Sequence, residues 1–136
     1  MPARTFDWRD DPQGTVIAVP QARARFIRVE PGAPRGNFHS HEESDGVEVW
    51  VVLEGAVRFE FEDGEVVATA GQAVAAFPHE KHRVSCAGSE PAVYFLVVAP
   101  HRSPTHTFYD AQGARLPSRP GVTNPTWRGE PAMGLP

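Results

Sequence analysis

The 136-residue chain is 40% hydrophobic and 22% charged, with a formal net charge of -4 at pH 7 and a pI of about 5.8. That length closes one hydrophobic core rather than two. A mildly acidic chain lacks the basic footprint that nucleic acid or anionic lipid requires, so neither is expected as a partner.

Arg23, Arg25 and Arg28 form the only local basic cluster, and the acidic residues that follow (Glu30, Glu42, Glu43 and Asp45) mark it as a solvated face. The single cysteine, Cys86, forbids an intrachain disulfide and fits a reducing, cytoplasmic setting. The first eleven residues carry Asp7, Arg9, Asp10 and Asp11 and lack the apolar region of a secretory signal. The longest apolar run, 92–99, is far short of a membrane span. Twelve glycines and fourteen prolines punctuate short apolar runs, the composition of an all-β chain with many turns.

In chain order, residues 1–14 are predicted to form an irregular arm, with Phe6 and Trp8 as anchors, or an edge strand added to a partner. Residues 15–20 and 22–30 read as strands, and Pro31-Gly32 turns the chain. Residues 33–37 are loop, 38–41 re-enter the sheet, and 42–45 form an acidic loop. From 47 to 61 the pattern is the clearest in the chain. Val47, Val49, Val51 and Leu53 share one face, and Glu48, Trp50 and Val52 share the other. After Gly55, Val57, Phe59 and Phe61 alternate with Arg58, Glu60 and Glu62, the period of a half-buried strand. Asp63-Gly64 is a strong hairpin signal. Strands at 65–68, 73–77, 82–86 and 92–99 complete the series. Residues 101–136 hold six prolines and few apolar residues in register, which predicts a coil tail with at most a short strand at 105–109. Its spaced anchors, among them Phe108, Tyr109, Leu116 and Trp127, suit a coil laid over a surface, with Trp127 buried. Covering a sheet face is its expected role, ahead of narrowing a site with His101, His106 or Tyr109.

Four residues carry the chemistry. His39 and His41 stand at i and i+2, so in a strand both imidazoles point to one side. Glu48 shares a face with Trp50 and Val52, where a carboxylate is costly unless it is paired or bound to a metal. His82 lies one hairpin later. Imidazole and carboxylate donors together suit one divalent transition metal, with Fe, Mn, Ni and Zn as candidates.

The stretch from His39-Ser40-His41 to Glu48 and, seven positions on, Gly55 resembles the first motif of the cupin superfamily: two histidines one residue apart, a glutamate, six residues and a glycine. The lead-in Val29-Glu30-Pro31-Gly32 and the segment from Gly71 to His82 are also similar to that family's pattern. The resemblance covers roughly 15–100 and implies an all-β double-stranded β-helix, a jelly-roll barrel, with a metal held by His39, His41, Glu48 and His82. Three departures accompany it. The interval from His41 to Glu48 is longer than usual, which leaves Glu42 and Glu43 open as ligands. Phe77 stands where the second motif has proline, with Pro78 displaced and His79 in the glycine's place, so His79 is an alternative to His82. Cys86 stands where asparagine is common. The expected organisation is an arm at 1–14, a barrel at 15–100 and an extension at 101–136.

The resemblance further implies a dioxygenase-type oxidoreductase, with a non-catalytic metal- or small-molecule-binding module or an isomerase as alternatives. Phe38, Trp50, Phe59, Phe77 and Tyr94, together with Phe61 and Phe95, are the candidate lining of a pocket for a small apolar or aromatic substrate. Small proteins of this resemblance are often homodimers, and the N-terminal arm is a candidate to cross that interface.

Overall fold

The computed structural model describes residues 4–117. The expectation for Trp127 therefore falls outside the described residues, as does everything from 118 onward. Ten strands follow in order: β1 (Thr15–Val19), β2 (Ala22–Val29), β3 (His39–Ser40), β4 (Val47–Glu54), β5 (Ala56–Phe61), β6 (Gly64–Thr69), β7 (Ala73–Ala76), β8 (His82–Cys86), β9 (Ala92–Ala99) and β10 (Thr107–Phe108). Every pairing is antiparallel, in two five-stranded sheets of order β1-β2-β9-β4-β7 and β10-β3-β8-β5-β6. Facing sheets whose strands alternate between them make the double-stranded β-helix that the patterning predicts. Among the described residues no helix is long and apolar enough to cross a membrane.

The core follows from the period of two. On β4, Glu48, Trp50 and Val52 are buried while Val47 and Val49 are exposed, so the second of the two faces read in the sequence is the interior one. β5 contributes Val57 and Phe59, and β9 contributes Tyr94, Leu96 and Val98. Trp50 and Phe59 meet at 5.1 Å between ring centroids, in a tilted arrangement that aromatic pairs favour. Gly55 links β4 to β5 at φ 76°, and a Cβ there stands 2.9 Å from the Pro91 carbonyl oxygen. Both facts require glycine, because an L side chain pays at positive φ and has no room.

The register of β2 corrects one expectation. Arg23 pairs with Val98 and Arg25 with Leu96, both of which belong to the core face. Directly paired residues share a face, so Arg23 and Arg25 are turned to the barrel interior rather than to solvent. Both are only partly exposed, whereas Arg28 is exposed and paired with Glu30 at 2.8 Å. The acidic residues nearby in sequence gave the wrong signal; the strand's alternation decides.

The arm at 4–14 lies on its own chain. A turn at Asp7–Asp11 is closed by Asp10 N–H to Asp7 C=O at 3.1 Å, and Phe26 N–H reaches Gly14 C=O at 2.9 Å. Trp8 and Arg9 line a groove of about 400 Å³ with Pro91 and Val93, on the outside of the barrel.

Candidate metal centre

β3 and β8 pair at a single register point, His39 opposite His82, and Phe61 of β5 lies opposite His82 on the other side. This rung faces β4 of the other sheet, from which Glu48 projects. His41 is placed by the loop after β3, whose backbone N–H donates to the Pro78 carbonyl at 2.9 Å. The long interval between His41 and Glu48 is taken up by a tight turn. Asp45 N–H reaches Glu42 C=O, Gly46 N–H reaches His41 C=O at 3.1 Å, and Asp45 sits at φ 55°. Glycine suits position 46, since a Cβ would come to 3.0 Å from the Pro100 carbonyl, a tight contact. The extra residues thus loop outward, and His41 and Glu48 still converge.

The four side chains His39, His41, Glu48 and His82 offer ligand atoms that all lie within 4.8 Å of one another. His41 Nε2 is 2.5 Å, and His82 Nε2 2.9 Å, from the same oxygen, Glu48 Oε2. Glu48 is 4% exposed, and His41 and His82 are buried. On the far side of each ring, Nδ1 faces a backbone carbonyl: Thr105 for His41 at 2.6 Å and Glu80 for His82 at 2.9 Å. A carbonyl only accepts, so each Nδ1 carries the proton and donates. With Nδ1 so committed, each Nε2 faces the carboxylate either as a lone pair, with a metal ion between the two, or as a second N–H that donates to Glu48. Facing lone pairs are repulsive unless a cation occupies their centre, and protons on Nε2 take that place when no ion is bound; carbonyl-anchored Nδ1–H is the usual support of a metal-bound histidine. Donors bound to one ion at about 2.1 Å lie at most about 4.2 Å apart, so the cluster needs to tighten only slightly. The residues fit a divalent transition metal.

Protonation follows the same geometry. Burial, reinforced by the neighbouring His82, drives the proton affinity of His39 well below the ordinary histidine value, leaving it neutral and ready to ligate. Burial also works against a charge on His41, but the hydrogen bond and charge of Glu48 outweigh it and raise its pKa. Burial disfavours the ionised Glu48, yet hydrogen bonds to His41 and His82 prevail and hold it well below the usual carboxylate range.

Two further histidines border the cluster. His106 has its ring centroid 4.8 Å from those of both His39 and His41, and stacks on Phe108 at 5.5 Å. His101 is buried, with its backbone N–H on the Pro20 carbonyl at 3.0 Å. Burial lowers both, to about 4. They arrive on the segment after β9, which returns to pair β10 with β3 and places the Tyr109 hydroxyl 3.0 Å from both Ser40 Oγ and Glu42 Oε1. The start of the tail is thus part of the site, not only a cover for a sheet. The signal that could have ranked this role first is His101-x4-His106 itself, two histidines in a segment otherwise short of them.

The alternative ligands lie elsewhere. Glu42, Glu43 and His79 are exposed, and His79 stacks on Phe77 at 6.4 Å. Of the aromatics read as pocket lining, Trp50 lies against His82 at 5.0 Å, and Phe59 and Tyr94 continue beneath it in the core. Phe77 is 66% exposed. Phe38 precedes the inward His39, so it faces the other way and sits under the Arg83 guanidinium at 4.5 Å. Phe95 packs on Phe26 on the outer face. The unusual Phe77-Pro78-His79-Glu80 segment closes as a turn, with Glu80 N–H on Phe77 C=O at 3.0 Å, and its last carbonyl orients His82.

Comparison with known proteins agrees with this architecture. A family model described as a cupin domain matches residues 25–98. No curated protein matches the chain. Among solved structures, an uncharacterised conserved protein with a double-stranded β-helix domain from Klebsiella pneumoniae superposes with a TM-score of 0.68 at 19% identity, covering 80% of this chain and 99% of that one. A cupin protein from Bacteroides fragilis gives 0.61 at 18% identity, over 74% and 86%. KdgF from Halomonas sp. gives 0.57 at 23%, over 68% and 82%.

Proposed function

This chain belongs to the cupin domain family, and from that premise we propose that it is a metal-dependent oxidoreductase of dioxygenase type acting on a small organic substrate with an apolar or aromatic part. The observation that carries the reading is the convergence of two Nε2 atoms and a buried carboxylate on one point, with His39 beside them. His39, His41, Glu48 and His82 would hold the ion, and a set of four protein donors would leave room for substrate to bind it. A bound ion supplies Lewis acidity, redox capacity and a template for orienting substrate.

The chain's own residues set the surroundings. Thr105 and Glu80 carbonyls fix the two ring orientations. Trp50 and Phe61 wall the His82 side with apolar surface, which keeps water from that flank and favours a substrate with an apolar part. His106 completes the opposite side.

The test is oxygen uptake by protein reconstituted separately with Fe(II), Mn(II), Ni(II) and Zn(II), over a panel of small aromatic and aliphatic compounds. Uptake that depends on both compound and metal, and is lost in His41→Ala, supports the reading. Tight metal binding with no turnover across the panel would instead support a non-catalytic binding module. One observation favours that second reading: Trp50, Phe59 and Tyr94 are packed as core rather than left open as pocket wall.

A further inference from the structure

The interior face of the β1-β2-β9-β4-β7 sheet is organised as rungs across neighbouring strands. Arg23 pairs with Val98, Val98 with Glu48 and Glu48 with Ala76. The next rung is Arg25, Leu96, Trp50 and Val74. A cation thus stands on the same rung as the buried ligand carboxylate, two strands away, with the apolar Val98 between them. At the ordinary strand spacing the two backbones are about 10 Å apart.

Arg25 is engaged by the protein itself, donating to the carbonyls of Phe26 at 3.3 Å and Gln13 at 3.2 Å. Arg23 differs. Among the described residues its guanidinium forms no hydrogen bond and no ion pair, although the side chain is partly buried. Burial lowers its pKa to about 10, with Arg25 adding to the effect and Glu48 opposing it; it remains charged at neutral pH. The positive charge of Arg23 is felt at His41, His101 and His106, so it faces the same space as the metal cluster. A partly desolvated guanidinium without a counter-ion is costly, and five donors in a planar fork match a carboxylate.

We propose that Arg23 is an anion-recognition residue: the ligand of this site carries a carboxylate, which Arg23 holds while another part of the same molecule reaches the metal position. The proposal rests on the metal-site reading above for where the ligand's other end lies. A lone guanidinium, with Arg25 engaged elsewhere, suits one carboxylate rather than a phosphate dianion, which several donors and cations ordinarily surround.

Calorimetric titration of the full chain decides it, in both the metal-free and the Co(II)-loaded form. The probes are acetate, oxalate, benzoate and salicylate, with acetamide, benzamide and salicylamide as uncharged counterparts and inorganic phosphate as a competing anion. The wild type is expected to bind at least one carboxylate more tightly than its amide. Arg23→Gln is expected to weaken that carboxylate by roughly 10- to 100-fold, the loss of a charge-assisted hydrogen-bonded pair. Amide binding and Co(II) affinity, the latter read from the visible absorption of the ion, should not change. Arg23→Lys keeps the charge without the fork and should fall between; it decides the matter if Arg23→Gln does not fold.

Carboxylate affinity unchanged in either variant overturns the proposal. So does Co(II) affinity falling by the same factor, which would make Arg23 a counter-charge for Glu48. A wild type that binds no carboxylate, or binds phosphate more tightly than all of them, also overturns it. If Co(II) does not bind but Arg23-dependent carboxylate binding persists without it, the metal reading fails and the anion site stands.

Discussion

Glu48→Gln isolates the charge at the centre of the cluster, because glutamine keeps the shape and removes the anion that His41 and His82 both face. Two effects follow and can be separated by melting the protein with and without metal. Without metal, the variant exchanges two hydrogen bonds to a buried carboxylate, each worth about 1.5–3 kcal/mol, for bonds to a neutral amide oxygen, each worth about 0.5–1.5 kcal/mol. About 2 kcal/mol in total lowers Tm by about 8 °C at roughly 4 °C per kcal/mol for a chain of this size. With metal, the wild type gains about 4.1 kcal/mol at a free metal concentration 1,000-fold above Kd, an upward shift of about 16 °C. Loss of the anionic ligand should weaken affinity by at least ~100-fold, since even outer-shell partners of ligands are worth 10–100-fold. At the same free metal the variant then gains only about 1.4 kcal/mol, or about 6 °C. Differential scanning fluorimetry against buffered Zn(II) or Ni(II) reads both numbers. A metal-induced shift as large in Glu48→Gln as in the wild type refutes Glu48 as a ligand, whatever happens to the metal-free baseline.

Stability of the metal-free protein should rise with pH between about 4 and 6.5. His101 and His106 have pKa values lowered by burial to about 4, so in that window the unfolded chain binds more protons than the folded one; a denaturant midpoint flat or falling with pH contradicts this. His41, whose pKa is raised, acts in the opposite sense and in the window above: its contribution is present below about 6.5 and lost as pH rises beyond it, so His41→Gln should lessen the fall in stability above about pH 6.5. Gly55→Ala should cost about 2–5 kcal/mol, from a left-handed residue and a contact with the Pro91 carbonyl, as measured by urea unfolding; a loss under 1 kcal/mol refutes the steric account. The chain is expected to be a homodimer, with the exposed Val47 and Val49 on the outer face of β4 among the surfaces available to a second copy; light scattering that returns the 14.9 kDa of one chain refutes it.

The strands were legible because each announces itself locally. Alternation from Val47 to Phe61, the Asp63-Gly64 turn and the apolar run at 92–99 need no tertiary information, and β4, β5, β6 and β9 stand where those signals place them. Glu48 was legible for the same reason: a carboxylate in phase with Trp50 and Val52 is an interior carboxylate. What alternation cannot supply is which elements meet across the barrel. Phe38 and Phe77 looked like pocket residues by type, but the first is out of phase with His39 and the second sits on a turn. Arg23 and Arg25 were misjudged because the charges nearest in sequence are not the charges nearest in space; the strand phase, Arg23-Arg25-Ile27-Val29 against Ala24-Phe26-Arg28, already held the answer.

The segment after β9 shows how the site depends on more than its motifs. Thr105 lies outside both motif-like stretches, yet its carbonyl fixes the tautomer of His41. Without that acceptor the Nδ1 proton loses its partner, and the ring is free to turn Nε2 away from Glu48. β10 then anchors the same segment by pairing with β3, two residues from His41, so the strand that carries the first ligand and the strap that orients the second are one hydrogen-bonded unit. Metal affinity should therefore respond to changes in the strap that touch no ligand. The ligand spacing alone does not define the centre; the backbone carbonyls of Thr105 and Glu80 are as much a part of its geometry as the rings they hold.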